Sequence, residues 1–265
     1  MSSACGPLSG NQLLLSLCAD DRARLAPHLE RVALSAGAHV YDAGAPLRHV
    51  YFPATTVISL VASMRDGACV EVAAVGNEGV VGACAFMGSR DALCSAVTLK
   101  SGYAWRISAR TVVEFAGAAE TQLQPVLKYL QALFTQVAQT SACNRHHAIE
   151  QQLCRWLLLS ADRQESSELR TTQEGIARLL GVRREGVTVS ALKLQRAGLI
   201  DYGRGRITIL DRAGLEQRSC ECYGVVRKAY QQLQGGPIRS QHAYRHMSHH
   251  HALPIVPGAH APDCL

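Results

Sequence analysis

Between Val32 and Ser108 the chain never holds one apolar period long enough to build a helix. Seven runs of four to seven residues follow one another: Val32–Ser35, His39–Asp42, His49–Phe52, Val57–Ser63, Cys69–Val75, Ala96–Lys100 and Tyr103–Ile107. Ala36-Gly37, Ala43-Gly44, Asp66-Gly67, Gly76-Asn77 and Ser101-Gly102 separate them. Several runs alternate apolar and polar residues, the pattern of a strand with one buried face. Short strands at this spacing, with no helix between them, predict an antiparallel roll, barrel or sandwich. A short helix is expected ahead of it, around Gln12–Leu17 and Asp20–His28.

The period then changes. Leu123, Leu127, Leu130, Phe134 and Val137 are spaced 4-3-4-3, a heptad seam on a long helix. Thr121 is the expected cap, and Pro125 falls in the first turn, where its missing N–H costs little. A narrow seam has to be covered, either by the roll or by the same helix of a second copy; the heptad spacing favours a dimer. A second helix is expected from His147 to Ser160, with His146-His147 at the junction and Asp162–Glu168 as a polar link. The resulting division is a sensor roll with its leading helix over 1–120, a dimerisation helix over 121–147 and a further domain over 148–233. Residues 234–265 hold Gly235-Gly236-Pro237, four prolines and six of the eleven histidines. That composition predicts a disordered tail, with His249-His250-His251 solvated.

Composition narrows the function class. At 48% hydrophobic and 18% charged, the 265 residues do not suit a disordered chain, a collagen or a coiled-coil rod. No apolar run approaches the ~20 residues of a membrane helix. Leu13–Leu15 lacks a preceding basic residue and is followed by Asp20-Asp21, unlike a secretory signal. A cytoplasmic protein without membrane partners is expected. The net charge of +6 is uneven. Residues 1–147 carry 11 Lys/Arg against 10 Asp/Glu, whereas residues 148–233 carry 14 against 10. Between Arg183 and Arg206, six basic residues face only Glu185 and Asp201, the local excess of a polyanion-binding face. The ten cysteines read as free buried thiols rather than a disulfide framework. Cys220-x-Cys222 is the only close pair, and zinc usually wants two wider pairs, so no metal and no cofactor are expected.

The stretch from Thr171 to Ile200 carries the function. Thr171-x-x-Glu174 reads as a capping box, followed by an apolar face of Ile176, Leu179 and Leu180. Ala177, Gly181 and Val187 have the spacing of a helix-turn-helix: a small residue at the helix crossing, a glycine with positive φ in the turn, and an apolar residue entering the shared core. Ser190 stands where a bulky apolar residue is usual, so packing through Ala191 and Leu194 is expected. Gly186 costs roughly 1 kcal/mol in helix propensity and suggests close backbone approach to a phosphate or base. Leu199–Tyr202 and Arg206–Leu210 read as a hairpin wing, with Arg204 and Arg206 at its tip and Asp211 capping a closing helix. Such a unit places its second helix in the major groove. Arg183, Arg184, Glu185 and Thr188 then face the bases, with Arg suited to guanine O6/N7 and Glu to cytosine N4. Thr172, Gln173 and Lys193 complete the candidate DNA-binding set. Gly-x-Ser-x-Gly, Gly-Lys-Ser/Thr and His-Glu-x-x-His motifs do not occur, so no enzyme is expected.

A strand-rich roll, a long helix and a winged helix-turn-helix together resemble the Crp/Fnr family of bacterial transcriptional regulators, over Leu25–Leu233. Arg184-Glu185 matches the family's Arg-Glu pair, whereas Val189 replaces an Arg often used for base contact. The run from Gly181 to Tyr223 is similar to a subgroup without an assigned ligand. The resemblance implies an α+β chain, with an antiparallel β-roll of the cyclic-nucleotide-binding, jelly-roll type. It also implies a homodimer on near-palindromic double-stranded DNA, with RNA polymerase as a further partner. The family's phosphate-binding segment corresponds to Gly82, Ala83 and Cys84, then Cys94-Ser95. Ala83 replaces the Glu that holds the ribose and Cys94 the Arg that neutralises the phosphate, so cyclic AMP is not expected to bind. Cys5 and Cys18 do not supply the clustered cysteines of the family's iron–sulfur sensors; the alternative is a redox or small-molecule sensor of the same fold with DNA binding secondary, with Cys84 and Cys94 as the candidate thiols.

Overall fold

The protein is described from a computed structural model over residues 9–118, 121–203 and 205–234. The expected disordered tail, Arg204 and the terminal cysteines Cys5 and Cys264 lie outside the described residues.

The chain opens with α1 (Gln12–Ser16), α2 (Ala19–Leu25) and a 3-10 turn at Ala26–His28. Asn11 fastens this start to the roll: its Oδ1 accepts from the Leu14 N–H at 2.9 Å, and its Nδ2 donates to the Pro53 and Gly79 carbonyls, each at 2.8 Å. The roll comprises β1 (Glu30–Leu34), β2 (His39–Tyr41), β3 (His49–Pro53), β4 (Val57–Ser63), β5 (Cys69–Val75), β6 (Ser95–Lys100) and β7 (Gly102–Ser108). They form two antiparallel sheets, ordered β1-β7-β3 and β2-β6-β4-β5, around a core that includes Val50, Phe52, Ile58, Val75, Val81 and Ile107. The expected strands are realised to within two residues at each end, although β3, β4 and β5 bury runs of consecutive side chains rather than alternate ones.

Two helices were not foreseen, one directly after β7 and a second closing helix near the end of the described residues. α3 (Ala109–Ala116) starts directly at the end of β7, where Ser108 accepts from the Thr111 N–H, and it buries Val112 and Phe115. The long helix α4 follows, over Gln124–His146. Its cap position is Leu123, not Thr121; the Thr121 hydroxyl instead donates to the Phe115 carbonyl at 2.7 Å. Pro125 lies in the first turn. α4 buries Val126, Tyr129, Ala132, Gln136, Thr140 and Cys143, of which Val126 and Tyr129 enter the roll core, whereas Thr140 meets the following helix and Cys143 meets the start of the last helix. Gly79 is required here, since the Tyr129 ring occupies the position a Cβ would take, and the Tyr129 hydroxyl donates to the Val80 carbonyl at 3.0 Å. The heptad seam is therefore divided. Leu123, Leu130 and Val137 are partly buried against the roll core, whereas Leu127 and Phe134 are 54% and 75% exposed.

The second core lies in the C-terminal segment, built from α5 (Ile149–Gln164), β8 (Glu168–Arg170), α6 (Gln173–Leu180), α7 (Arg184–Arg196), β9 (Ile200–Gly203), β10 (Arg206–Ile209), α8 (Arg212–Arg218) and α9 (Glu221–Gln234). The expected polar link after residue 161 is instead the end of α5 and the start of a strand. β8 pairs with β10 and turns the predicted hairpin into a three-stranded sheet, β8-β10-β9. α9 returns to α4, where the Tyr230 hydroxyl donates to Gln136 Oε1 at 2.8 Å and Tyr230 and Leu233 join the roll core.

Candidate nucleic-acid interface

α6 and α7 are joined by a turn in which Gly181 has φ +66°, a conformation that favours glycine. Ile176, Ala177, Leu180, Val187, Ala191 and Leu194 are buried between the helices and α5, as the spacing predicted. Ser190 is buried beside them. Two local expectations are corrected. The cap of α6 is Thr172, whose Oγ1 accepts from the Gly175 N–H at 3.0 Å, and not Thr171. Gly186 owes its lack of a side chain to packing: a Cβ there would stand 2.6 Å from Ile149 Cδ1, so the start of α7 rests on the start of α5 rather than being bared for a phosphate.

The N-terminal turn of α7 presents the residues singled out from the sequence. Arg183 occupies the cap position, and Arg183, Arg184 and Glu185 are all exposed. The Thr188 hydroxyl donates to Gln173 Oε1 at 2.6 Å, which ties the N-terminal half of α7 to the first turn of α6. Lys193 is drawn aside: its Nζ lies 3.8 Å from Glu150 Oε2 on α5. Arg206 is half-exposed, 3.6 Å from Glu168 Oε2. Asp211 caps α8 by accepting from the Gly214 N–H.

Sequence reasoning missed Leu192 as a contact candidate and took Val189 only as the replacement of a base-contacting Arg. Both are exposed on the side of α7 that carries Glu185 and Arg196, at the i, i+4, i+7 spacing of one helix face. The signal was present, since Val187 and Leu194 already supply the core face. Apolar side chains at such positions can meet thymine methyl groups.

In the roll, Gly82 (φ +86°) leads into a 3-10 turn, Ala83–Met87, in which Ala83 and Cys84 are buried. The Cys84 thiol donates to the Asp91 carbonyl at 3.8 Å, and Ser95 Oγ accepts from the Ala43 N–H at 3.0 Å. Burial pushes the Tyr41 hydroxyl well above its ordinary range, with Cys94 and Cys84 adding to the shift. Burial, helped by Cys84, raises the Cys94 thiol to about 11. Gly82, Ala83, Cys84, Cys94 and Ser95 thus offer neither an acid for a ribose nor a cation for a phosphate.

Two domain families match the chain. The cyclic nucleotide-binding domain matches residues 31–118, and the Crp-like helix-turn-helix domain matches residues 151–218. Together they span more than half of the sequence, in the order and positions of the two cores. The chain belongs to the Crp/Fnr family. This Crp/Fnr chain has the fold of a transcriptional regulator with a helix-turn-helix DNA-binding domain. A structure from Eubacterium rectale assigned to the Crp/Fnr family of transcriptional regulators superposes with a TM-score of 0.64 at 18% identity, covering 78% of this chain and 97% of that one. A CRP-family transcriptional regulator from Thermus thermophilus gives 0.61 at 22% identity, with coverages of 72% and 96%. The c-di-GMP responsive global regulator CLP of Xanthomonas campestris gives 0.60 at 18% identity, with coverages of 72% and 99%. At these identities the likeness is one of fold. No curated protein matches the chain by sequence. Among the described residues, no helix is long and apolar enough to cross a membrane.

Proposed function

We propose that this protein is a homodimeric, sequence-specific transcriptional regulator acting on near-palindromic DNA, and that its roll does not bind cyclic AMP. The observation that carries the reading is the exposed Arg183, Arg184 and Glu185 at the start of α7, braced by the half-buried Thr188 through its bond to Gln173. A dimer is supported by Leu127 and Phe134, two large apolar side chains one heptad apart that the protomer leaves bare. Recognition helices related by a two-fold axis read half-sites about one helical turn apart. RNA polymerase is the partner such a regulator addresses once seated on its site.

The ligand reading rests on charge. A buried cyclic phosphate without a counter-charge is strongly disfavoured, and Ala83 and Cys94 supply none. The alternative redox role for Cys84 and Cys94 finds little support, because burial raises both thiols and leaves scarce thiolate at neutral pH. Selection of bound fragments from random DNA tests the proposal: a two-fold motif is expected, and binding without sequence preference overturns it. Calorimetry showing micromolar cyclic AMP affinity would overturn the ligand reading.

A further inference from the structure

The ten cysteines are not all isolated. Cys143 lies in the last turn of α4, and His147, the cap residue of that helix, follows one turn later. Cys220 and Cys222 flank Glu221 at the start of α9, where the chain turns out of α8. The fold brings these two pairs, more than seventy positions apart, into one cluster. Their ligand atoms, three Sγ and one imidazole nitrogen, all lie within 4.8 Å of one another. Cys143, Cys220 and Cys222 are 0%, 5% and 1% exposed, and they pack on each other as a cluster separate from both large cores.

We propose that Cys143, His147, Cys220 and Cys222 form a closed tetrahedral site for a zinc ion that fastens the start of α9 to the end of α4.

The spacing fits a single ion. With Zn–S near 2.3 Å and Zn–N near 2.0–2.1 Å, a tetrahedron has edges of about 3.8 Å between sulfurs and about 3.5 Å between sulfur and nitrogen. Cys143 Sγ and Cys220 Sγ are 3.6 Å apart, and Cys222 Sγ and His147 Nδ1 are 3.6 Å apart. A disulfide would need sulfurs about 2.0 Å apart. A multi-iron cluster needs wider-set thiolates than these.

The surroundings fit as well. His147 Nε2 lies 3.3 Å from Glu221 Oε1. A carboxylate on the far ring nitrogen places the proton there and turns the Nδ1 lone pair toward the thiols, as for imidazoles that ligate zinc. Three thiolates and one neutral imidazole on a divalent ion carry a net charge of −1. Arg155 supplies a positive counterpart: it is 4% exposed and donates to Thr140 Oγ1 at 3.0 Å, one turn of α4 before Cys143. Its Nε has no hydrogen-bond partner, and the Glu71 carboxylate that lines the same cavity forms no ion pair with it among the described residues. A soft, closed, four-ligand set with no open position favours zinc in a structural role.

The test uses the full-length chain without an affinity tag. The six histidines of the tail also attract metal ions, so metal content alone does not decide. Cobalt(II) substitution does: tetrahedral thiolate ligation gives sulfur-to-metal charge-transfer absorption and intense visible bands, whereas histidines of the tail give neither. One such site per chain is expected. The Cys143→Ser/Cys222→Ser double variant should lose these bands, with affinity falling by more than about 100-fold, and Glu221→Gln should weaken binding by about 10-fold. In case the double variant misfolds, alkylation of the wild-type chain gives an independent reading. Zinc should protect Cys143, Cys220 and Cys222, and chelation should expose them. Absent thiolate bands, alkylation indifferent to chelator, or a Cys143–Cys220 disulfide in metal-replete protein would each overturn the proposal.

Discussion

Arg163 on α5 and Glu78 on the roll are paired at 3.0 Å, with their side chains 6% and 13% exposed. The same guanidinium donates to Gln136 Oε1 on α4 at 2.8 Å and lies over the Tyr230 ring of α9, 5.1 Å from its centroid. One side chain thus meets the roll, the long helix and the C-terminal helix, so the DNA-binding segment does not hang from α4 alone. Removing one partner of a buried pair strands the other charge. Arg163→Ala is expected to lower stability by about 3–5 kcal/mol, and Glu78→Gln by a similar amount, measured by urea unfolding. A loss below about 1 kcal/mol for both would show the pair to be solvated.

Glu71 makes a second tie between the same parts. Its Oε1 accepts from Trp156 Nε1 at 3.0 Å and its Oε2 from the Ser59 hydroxyl at 2.6 Å. Burial nevertheless raises its pKa above the ordinary 4.5, outweighing these bonds and the nearby Arg163 and Arg155. The folded protein therefore holds this proton more tightly than the unfolded chain. The contribution favours folding below the ordinary pKa and is lost as pH rises through that value toward the folded one. Wild-type stability relative to Glu71→Gln should decline on going from about pH 4 to pH 7. A difference that stays flat across that range contradicts the assignment.

Leu127 and Phe134 are the positions at which to break the proposed dimer. Both are exposed in the protomer, so Leu127→Asp/Phe134→Asp should give folded monomers by light scattering with an unchanged far-ultraviolet spectrum. Leu130 is unsuitable for this purpose, since it packs on the roll core. A double variant that remains dimeric places the interface elsewhere.

The two kinds of DNA contact should separate by mutation. Arg184→Ala is expected to cost about 1–3 kcal/mol on the preferred site and to relax base choice at one position of each half-site. Arg206→Ala should weaken all sequences alike and reduce the salt slope by about one per protomer. Equal losses of Arg184→Ala on specific and random DNA would remove it from the bases.

The helix-turn-helix was legible because its determinants are local. Ala177, Gly181 and Val187 lie within eleven positions, and their steric roles follow from how two helices cross. The strands were legible for a local reason too: short apolar runs are cut by turns at Gly37, Gly44 and Gly67, each with positive φ, even though β4 buries five consecutive side chains. The cap of α6 was displaced by one residue because Thr171 and Thr172 carry the same hydroxyl, and only backbone geometry chooses between them. α3 carries a helical signal of its own, with Ser108 as cap and Ala109, Val112 and Phe115 on one face, and was overlooked because it starts directly at the end of β7 with no turn between them.

What the sequence determined by itself was the set of local units: the strand-and-turn roll, the long apolar helix, and the helix-turn-helix with its concentrated positive charge. The tertiary structure decided which units touch. It divided the heptad seam between the roll and solvent, gave Gly186 to Ile149 and Gly79 to Tyr129, and joined Arg163 to Glu78. It also turned Cys220-x-Cys222, half of a ligand set, into a whole one beside Cys143 and His147. Such pairings span many tens of residues, and no periodicity encodes them. They arise when separate apolar faces are buried together, and the polar groups carried inward then have to find partners.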